Sequence, residues 1–268
     1  MKHGILVLFL LIVGLTCLYA NTDKSFDYSK AWKEIDNTEM EKYPKTALEK
    51  IDSLYQASVK DQRSEDQIKA LVYLMSLKTF LAEESDQIVF DLIDENIRGA
   101  SFPASAILHS IRAEMYWSYY QSHYYTESQR SEVVNFTPGK IDTWDMKSLA
   151  KVAINEFRIS LERSRELNAI PLTDYPVLCK NGDEFGMQAR PTLYDLLAHR
   201  ALQRYDANTS GFSVLFDNYP FDDASLLSNA QEFAQLQFTP ADSTSGKYLT
   251  LRLYQDLISL HLKDKDAF

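Results

Sequence analysis

Cysteine is almost missing from this chain: 268 residues contain two, Cys17 and Cys179. Cys17 falls in an apolar leader that is expected to be removed, so no intramolecular disulfide is available to the remainder. The hydrophobic core must hold the fold alone. That is within reach at this length, because domains above ~150 residues bury about two-thirds or more of their surface. Glycine and proline are also scarce, eight of each. An all-β chain needs many tight turns, so the shortage favours long helices. Positive charge is the minority sign, with 28 Lys and Arg against 38 Asp and Glu and a formal net charge of −10. Nucleic-acid binding needs a basic footprint for phosphates, which this composition does not offer. The same deficit argues against docking on anionic lipid.

What is present begins with an export signal. Met1-Lys2-His3 is a short positive start, residues 5–19 are apolar apart from Gly14 and Thr16, and Ala20 is followed by polar Asn21-Thr22-Asp23-Lys24. This is the order of a secretory signal, and its apolar run is shorter than the ~20 residues that span a bilayer. Residues 1–20 are therefore assigned to a signal peptide cleaved after Ala20, and residues 21–268 to a helical domain. The expected destination is the periplasm or outer envelope. The alternative is lipid attachment at Cys17, the one route by which this chain would reach a membrane. Lipoprotein signals usually carry Gly, Ala or Ser before the cysteine, and Thr16 stands there, so plain cleavage is preferred.

A short first helix is expected around 32–37. Over residues 43–58, Ala47, Leu48, Ile51, Leu54 and Tyr55 recur at the three-and-four spacing of one helical face. A charged break at 60–64 leads to a second stripe of Ile68, Leu71, Val72 and Met75, widened by Leu74, Leu77 and Leu81. Ile88, Val89, Leu92, Ile93 and Ile97 form a third, which stops at Arg98-Gly99. Pro103 opens the next helix, through Ile107, Leu108, Ile111 and Met115. Pro138-Gly139 marks a turn, and Asp142 or Thr143 is expected to cap a helix over 145–167. Residues 169–190 read as irregular. Pro191 starts a helix carrying Tyr194, Ala198, Ala201 and Tyr205. Residues 208–223 are irregular again, with 212–216 as a short strand lacking an obvious partner. Helices return over 224–236 and 245–263. The fold class is all-α: antiparallel helical hairpins in a TPR-like solenoid array with two irregular loop segments. Only the pair over 43–81 looks like a tetratricopeptide unit, and no fixed-period match runs through the rest.

The chemistry-bearing residues form no catalytic pattern. His109, His123, His199 and His261 lack the helical pair with an intervening carboxylate that marks zinc proteases, so each reads as a packing or surface residue and no metal or cofactor is expected. Gly211-Phe212-Ser213-Val214-Leu215 fails the nucleophile-elbow pattern at its last position. Cys179, beside Leu178 and Lys180, reads as a packed thiol. Abundant acids on amphipathic helices are usually the solvated face. No catalytic residue is assigned, and the chain is expected not to be an enzyme.

Two features stand out. Tyr116, Trp117, Tyr119, Tyr120, Tyr124 and Tyr125 lie in one helix with His123. Tyr116, Trp117, Tyr120 and Tyr124 are a candidate interaction patch, a stacking platform for sugar rings or a partner protein. The preferred alternative is a helix sandwiched between two layers, which buries its rings on several sides. Asp195 and His199, four apart on the Pro191 helix, could form a local pair whose role is structural.

Residues 190–202, Arg190-Pro191-Thr192-Leu193-Tyr194-Asp195-Leu196-Leu197-Ala198-His199-Arg200-Ala201-Leu202, resemble a segment of large bacterial alpha-2-macroglobulin-like proteins. Ile107-Leu108-His109-Ser110 with Tyr116-Trp117-Ser118-Tyr119 is similar to their upstream helix, and Thr143-Trp144-Asp145 with 157–161 to the next. The resemblance implies an exported, very long protein that traps or inhibits proteases at the bacterial envelope. It also implies that this chain is the helical, TPR-like array preceding the macroglobulin β-domains. Cys179-Lys180-Asn181-Gly182 does not match that family's Cys-x-x-Gln thioester, and no family active residue carries over. Arg190, Pro191, Tyr194, Asp195 and His199 are therefore expected to be structural. The expected function is a non-catalytic scaffold or interaction domain of an alpha-2-macroglobulin-like endopeptidase inhibitor. Its partners would be proteins, either proteases or downstream macroglobulin domains. One alternative is a stand-alone glycan-binding or protein-binding envelope lipoprotein, which in its glycan-binding form needs an exposed Trp117 and tyrosine patch. Another is an acid–base hydrolase, which needs a cleft gathering carboxylates or a perturbed Asp195 and His199.

Overall fold

The computed structural model describes residues 25–81, 86–127, 139–179, 184–205, 222–239 and 245–264. The leader with Cys17, and the strand expected at 212–216, lie outside the described residues. Among the described residues the regular structure is helical, apart from one isolated antiparallel bridge between Pro171 and Thr192. The fold is all-α.

Helices α1 (Tyr28–Asp36), α2 (Pro44–Lys60), α3 (Ser64–Leu81), α4 (Asp86–Gly99), α5 (Ala104–Glu127) and α6 (Met146–Ser160) each pack on the next, and α3 also reaches α5. They are followed by α7 (Ser164–Asn168), α8 (Glu184–Ala189), α9 (Leu193–Tyr205), α10 (Ala230–Phe233) and α11 (Gly246–His261). Helix α9 is the hub of this second part, packing against α5, α6, α7 and α11.

Local chemistry explains where these helices begin and end. Asp27 caps α1 through the Lys30 amide, and Ser245 caps α11 through the Tyr248 amide. Pro44 occupies the first turn of α2, where its missing N–H costs nothing. At the end of α2 the Arg63 amide reaches the Ser58 carbonyl and the Gln62 amide the Val59 carbonyl, the paired bonds of a Schellman ending. Gln62 takes the left-handed position that usually belongs to glycine, with φ of 55°. The chain turns there and α3 doubles back along α2.

Several expected boundaries move. Asp145, not Asp142 or Thr143, caps α6, accepting from the Ser148 amide at 2.7 Å. The single helix expected over 145–167 breaks after Ser160. Ser160 Oγ turns back onto the Phe157 carbonyl, and 3₁₀-type bonds from Leu161 and Glu162 tighten the last turn. The helix expected over 224–236 is also interrupted: a 3₁₀ turn, Ala224–Leu227, stops at Ser228, and Asn229 caps the short α10. Pro191 precedes α9 without being in it, since Thr192 makes the capping contacts and Leu193 is the first helical residue. Residues 172–179, within the stretch expected to be irregular, form two 3₁₀ turns, and α8 follows them.

The core runs along the helices as four joined clusters. Ile35, Ala47, Ile51, Leu54, Ala70, Leu74 and Leu77 unite α1, α2 and α3. Leu71, Met75, Ile93 and Leu108 carry it across α3, α4 and α5. An aromatic cluster joins α4, α5 and α6, and the largest gathers Ile107, Phe157, Tyr194, Leu197, Tyr205, Leu253 and Leu257 around α9. Val72, expected in the buried stripe of α3, instead stands 40% exposed, while Ile68, Leu71, Leu74, Met75 and Leu77 of that helix are buried.

Candidate functional site

Exposed Val72 belongs to a groove of about 490 Å³ on the outer face of α3. Val72, Tyr73 and Ser76 come from α3, and Pro176 and Val177 from the second 3₁₀ turn. One contact holds the walls: Ser64 Oγ and the Tyr175 hydroxyl are 2.8 Å apart, tying the start of α3 to the 3₁₀ segment. Lys69 stands at the rim with its ammonium 3.8 Å from the centroid of the Trp32 ring, a cation–π contact. Trp32 itself donates to Asp66 at 2.6 Å. Glu65 is the rim's acid; burial, then the neighbouring Asp66, pushes its carboxyl upward, while Lys69 and Arg63 oppose the shift. The result is an apolar floor with one cation and one acid at its edge.

A polar cluster joins α9 to α11. Thr192 and Asp195 cap the start of α9 reciprocally: the Thr192 amide and hydroxyl donate to Asp195 Oδ2 at 3.0 and 2.8 Å, and the Asp195 amide donates to Thr192 Oγ1 at 3.2 Å. The other carboxylate oxygen, Oδ1, accepts from His261 Nε2 at 2.8 Å, and His261 Nδ1 donates to Asp264 at 2.6 Å. Both oxygens of Asp195 are thereby occupied, and its partner is His261 rather than the expected His199. Carboxylates only accept, so the form that satisfies both contacts is the doubly protonated imidazolium. Burial pulls His261 down, but the hydrogen bonds and charges of Asp264 and Asp195 outweigh it, and the net shift is upward. His199 moves the other way: burial lowers it, with Arg190 and His261 adding to the effect and Asp195 opposing.

A third cluster ties α4, α5 and α6 together. Glu156 Oε2 receives Arg112 Nε at 2.9 Å, Arg112 Nη2 at 2.7 Å and His109 Nδ1 at 2.7 Å, while Arg112 Nη1 donates to Asp94 at 2.6 Å. Arg112 and Glu156, both largely buried, are thus paired with opposite charges rather than left alone.

A smaller cleft, about 280 Å³, lies between the end of α6, α9 and α11 and carries Arg158, Glu162, Tyr194, Arg252 and Asp256. Arg158 binds Glu162 at 3.0 Å. Asp256, although open to solvent at its edge, is pushed upward by burial against the cleft wall, with Arg252 opposing. Each acid has an arginine beside it.

The aromatic patch is interior. Tyr116, Trp117 and Tyr120 are 7%, 5% and 3% exposed. Tyr116 stacks between Phe90 and Trp144 with centroid distances of 4.9 and 5.6 Å, and Arg204 covers the Trp117 face at 4.4 Å. The preferred reading, a helix sandwiched between layers, fits these three rings, and the stacking-platform reading is corrected for them, because the layers formed by α4, α6 and Trp144 close over them. The Tyr124 side chain lies outside the described residues. Within the 190–202 block, Tyr194 and Asp195 are buried, His199 is half-buried, and Arg190 and Pro191 are exposed.

His261 escaped the sequence reading because its partner Asp195 lies far away in the chain; only Asp264, three residues on, hinted at a charged helix ending. Among the described residues no group of three or more His, Cys, Asp or Glu side chains is placed to hold a metal ion, and no helix is long and apolar enough to cross a membrane. No family model matches the chain, and neither a curated protein nor a solved structure matches it.

Proposed function

We propose that this chain is a non-catalytic helical scaffold that binds a protein segment, built as a TPR-like array and belonging to an exported alpha-2-macroglobulin-like endopeptidase inhibitor. The α3 groove carries the reading. It offers exposed apolar side chains on a rigid helix face, walled by a pinned 3₁₀ turn, with Lys69 and Glu65 placed to orient a partner. The packing of each of the first six helices on the next, together with the contact between α3 and α5, suits stacked hairpins. The 190–202 block supports the family assignment, its buried Tyr194 and Asp195 acting as anchors of α9. His261 itself is not available as a base while both of its nitrogens are engaged by carboxylates.

The test is a titration of the purified chain, and of its Val72→Asp variant, with macroglobulin-like domains encoded in frame or in an adjacent gene. Saturable binding by the parent chain that is lost in the variant is the expected outcome. No binding by the parent, no such domains in the coding neighbourhood, or hydrolysis of a peptide or glycoside by the chain itself would each overturn the corresponding part of the proposal.

A further inference from the structure

We infer that the contact between His261 and Asp195 is a pH-gated latch that holds α11 on α9, fastened when His261 is charged and His199 is neutral. The geometry places two opposite helix ends together. Asp195 lies in the first turn of α9, where the helix dipole favours an anion, and His261 in the last turn of α11, where it favours a cation. The two meet at 2.8 Å, and Asp264 closes the other side of the ring at 2.6 Å. Asp195 is 2% exposed and is already fixed by Thr192, so the acceptor is held in place before the histidine arrives.

In contact with His261 are Asp195 from α9 and Asp264 from just beyond α11, while His199 from α9 feels His261, Asp195 and Arg190, the last from the segment before α9. The two acids favour the imidazolium. His199 is the opposing element: one turn beyond Asp195, it would place a second cation beside His261 and Arg190 if it took a proton.

The two histidines set the two limbs of the response. His261 is raised in the folded state, so its contribution is complete below the ordinary imidazole pKa of about 6.5 and is lost as pH climbs through the raised folded value. His199 is lowered, so it costs nothing above that ordinary value and destabilises progressively as pH falls below it. The sum is a latch strongest near pH ~6.5 that loosens on both sides.

What the latch controls is the cover over the α9 core. Leu253 and Leu257 of α11 pack into the cluster that contains Tyr194, Leu197 and Tyr205. Near the middle of its length α11 is tied to α10 and the turn after it by Gln255, which donates to the Phe233 and Leu236 carbonyls at 3.0 and 2.8 Å. That tie carries no titrating group; Asp256 beside it is pushed upward by burial, so the His261→Gln and His199→Gln variants are what separate the latch's response from that of Asp256.

The test is amide hydrogen exchange of α11, read between about pH 5 and about pH 9 and corrected for intrinsic exchange, on the parent chain and on His261→Gln and His199→Gln. The parent is expected to show greatest protection at mid-range. His261→Gln should lose the alkaline limb and His199→Gln the acid limb. Flat or monotonic protection in the parent overturns the inference, as does an alkaline limb that survives in His261→Gln. NMR titration of the two imidazoles in the parent chain is independent of how the variants fold. His261 must titrate above a free histidine and His199 below it, and either one titrating on the opposite side defeats the proposal.

Discussion

Glu156 of α6 accepts both Arg112 Nε and Nη2 of α5 on a single oxygen, Oε2, and that oxygen also receives His109. One carboxylate therefore anchors two side chains of the neighbouring helix. Because Glu156 is 5% exposed, its loss leaves the Arg112 charge with Asp94 alone in a poorly solvated place. Glu156→Ala should lower the free energy of unfolding by about 3 kcal/mol, the scale seen when one partner of a buried pair is removed. Urea unfolding checks it, and a loss under about 1 kcal/mol would mean that water reaches Arg112 freely.

Gln62 holds a left-handed backbone position in a Schellman ending. Glycine takes that position without a Cβ penalty, so Gln62→Gly is expected to stabilise the chain or leave it unchanged, by up to about 1 kcal/mol. The offset is the extra freedom glycine adds to the unfolded chain. A clear drop in thermal midpoint would show that the Gln62 side chain contributes something the turn geometry does not require.

Trp117 is buried on α5 with the Arg204 guanidinium over its face. Trp117→Ala should cost about 3–5 kcal/mol of stability through the cavity it leaves. A sugar platform would behave differently: truncation would abolish saturable oligosaccharide binding while the thermal midpoint stayed put. Measuring both quantities on one variant separates the two roles.

Val72 faces solvent on α3 in the proposed groove. Val72→Asp is expected to keep stability within about 0.5 kcal/mol of the parent, as exposed substitutions usually do, and to abolish partner binding. Circular dichroism melts alongside the titration would expose a variant that had lost binding by unfolding.

Burial pushes the Cys179 thiol upward from its ordinary value. The thiolate is the nucleophile, so at neutral pH Cys179 should react with a thiol reagent more slowly than free cysteine, and its rate should still be climbing above pH ~8.5. A rate equal to or faster than that of free cysteine at pH 7 would show an activated thiol.

Period and composition reached the helices and much of the core. Ala47, Ile51 and Leu54 are buried as their spacing implied, and Pro103 and Gly99 flank helix ends. Caps were harder to place: Asp142 and Asp145 are both good capping residues, and only tertiary packing of the Trp144 segment decides between them. The break after Ser160 and the restart at Asn229 depend on the Ser160 and Asn229 side chains bonding to the main chain, which apolar periodicity does not register. The aromatic run on α5 looked the same in sequence whether open or covered, because the covering residues, Phe90 and Trp144, come from other elements. His261 shows the limit most sharply, since neither its partner nor its charge state follows from its neighbours in the chain.

The uneven attachment of the helices fixes the order in which the chain comes apart. Helix α1 leans chiefly on α2, whereas α9 is gripped by α5, α6, α7 and α11 together. Pulled from its amino end, the chain would release the outer helices α1 and α2 before meeting α5, which packs against α3, α4, α6 and α9. Pulled from its carboxyl end, it would first free α11 and then stall at α9, which α5, α6 and α7 still hold. The two directions thus end at one common grip, the packed meeting of α5, α6 and α9.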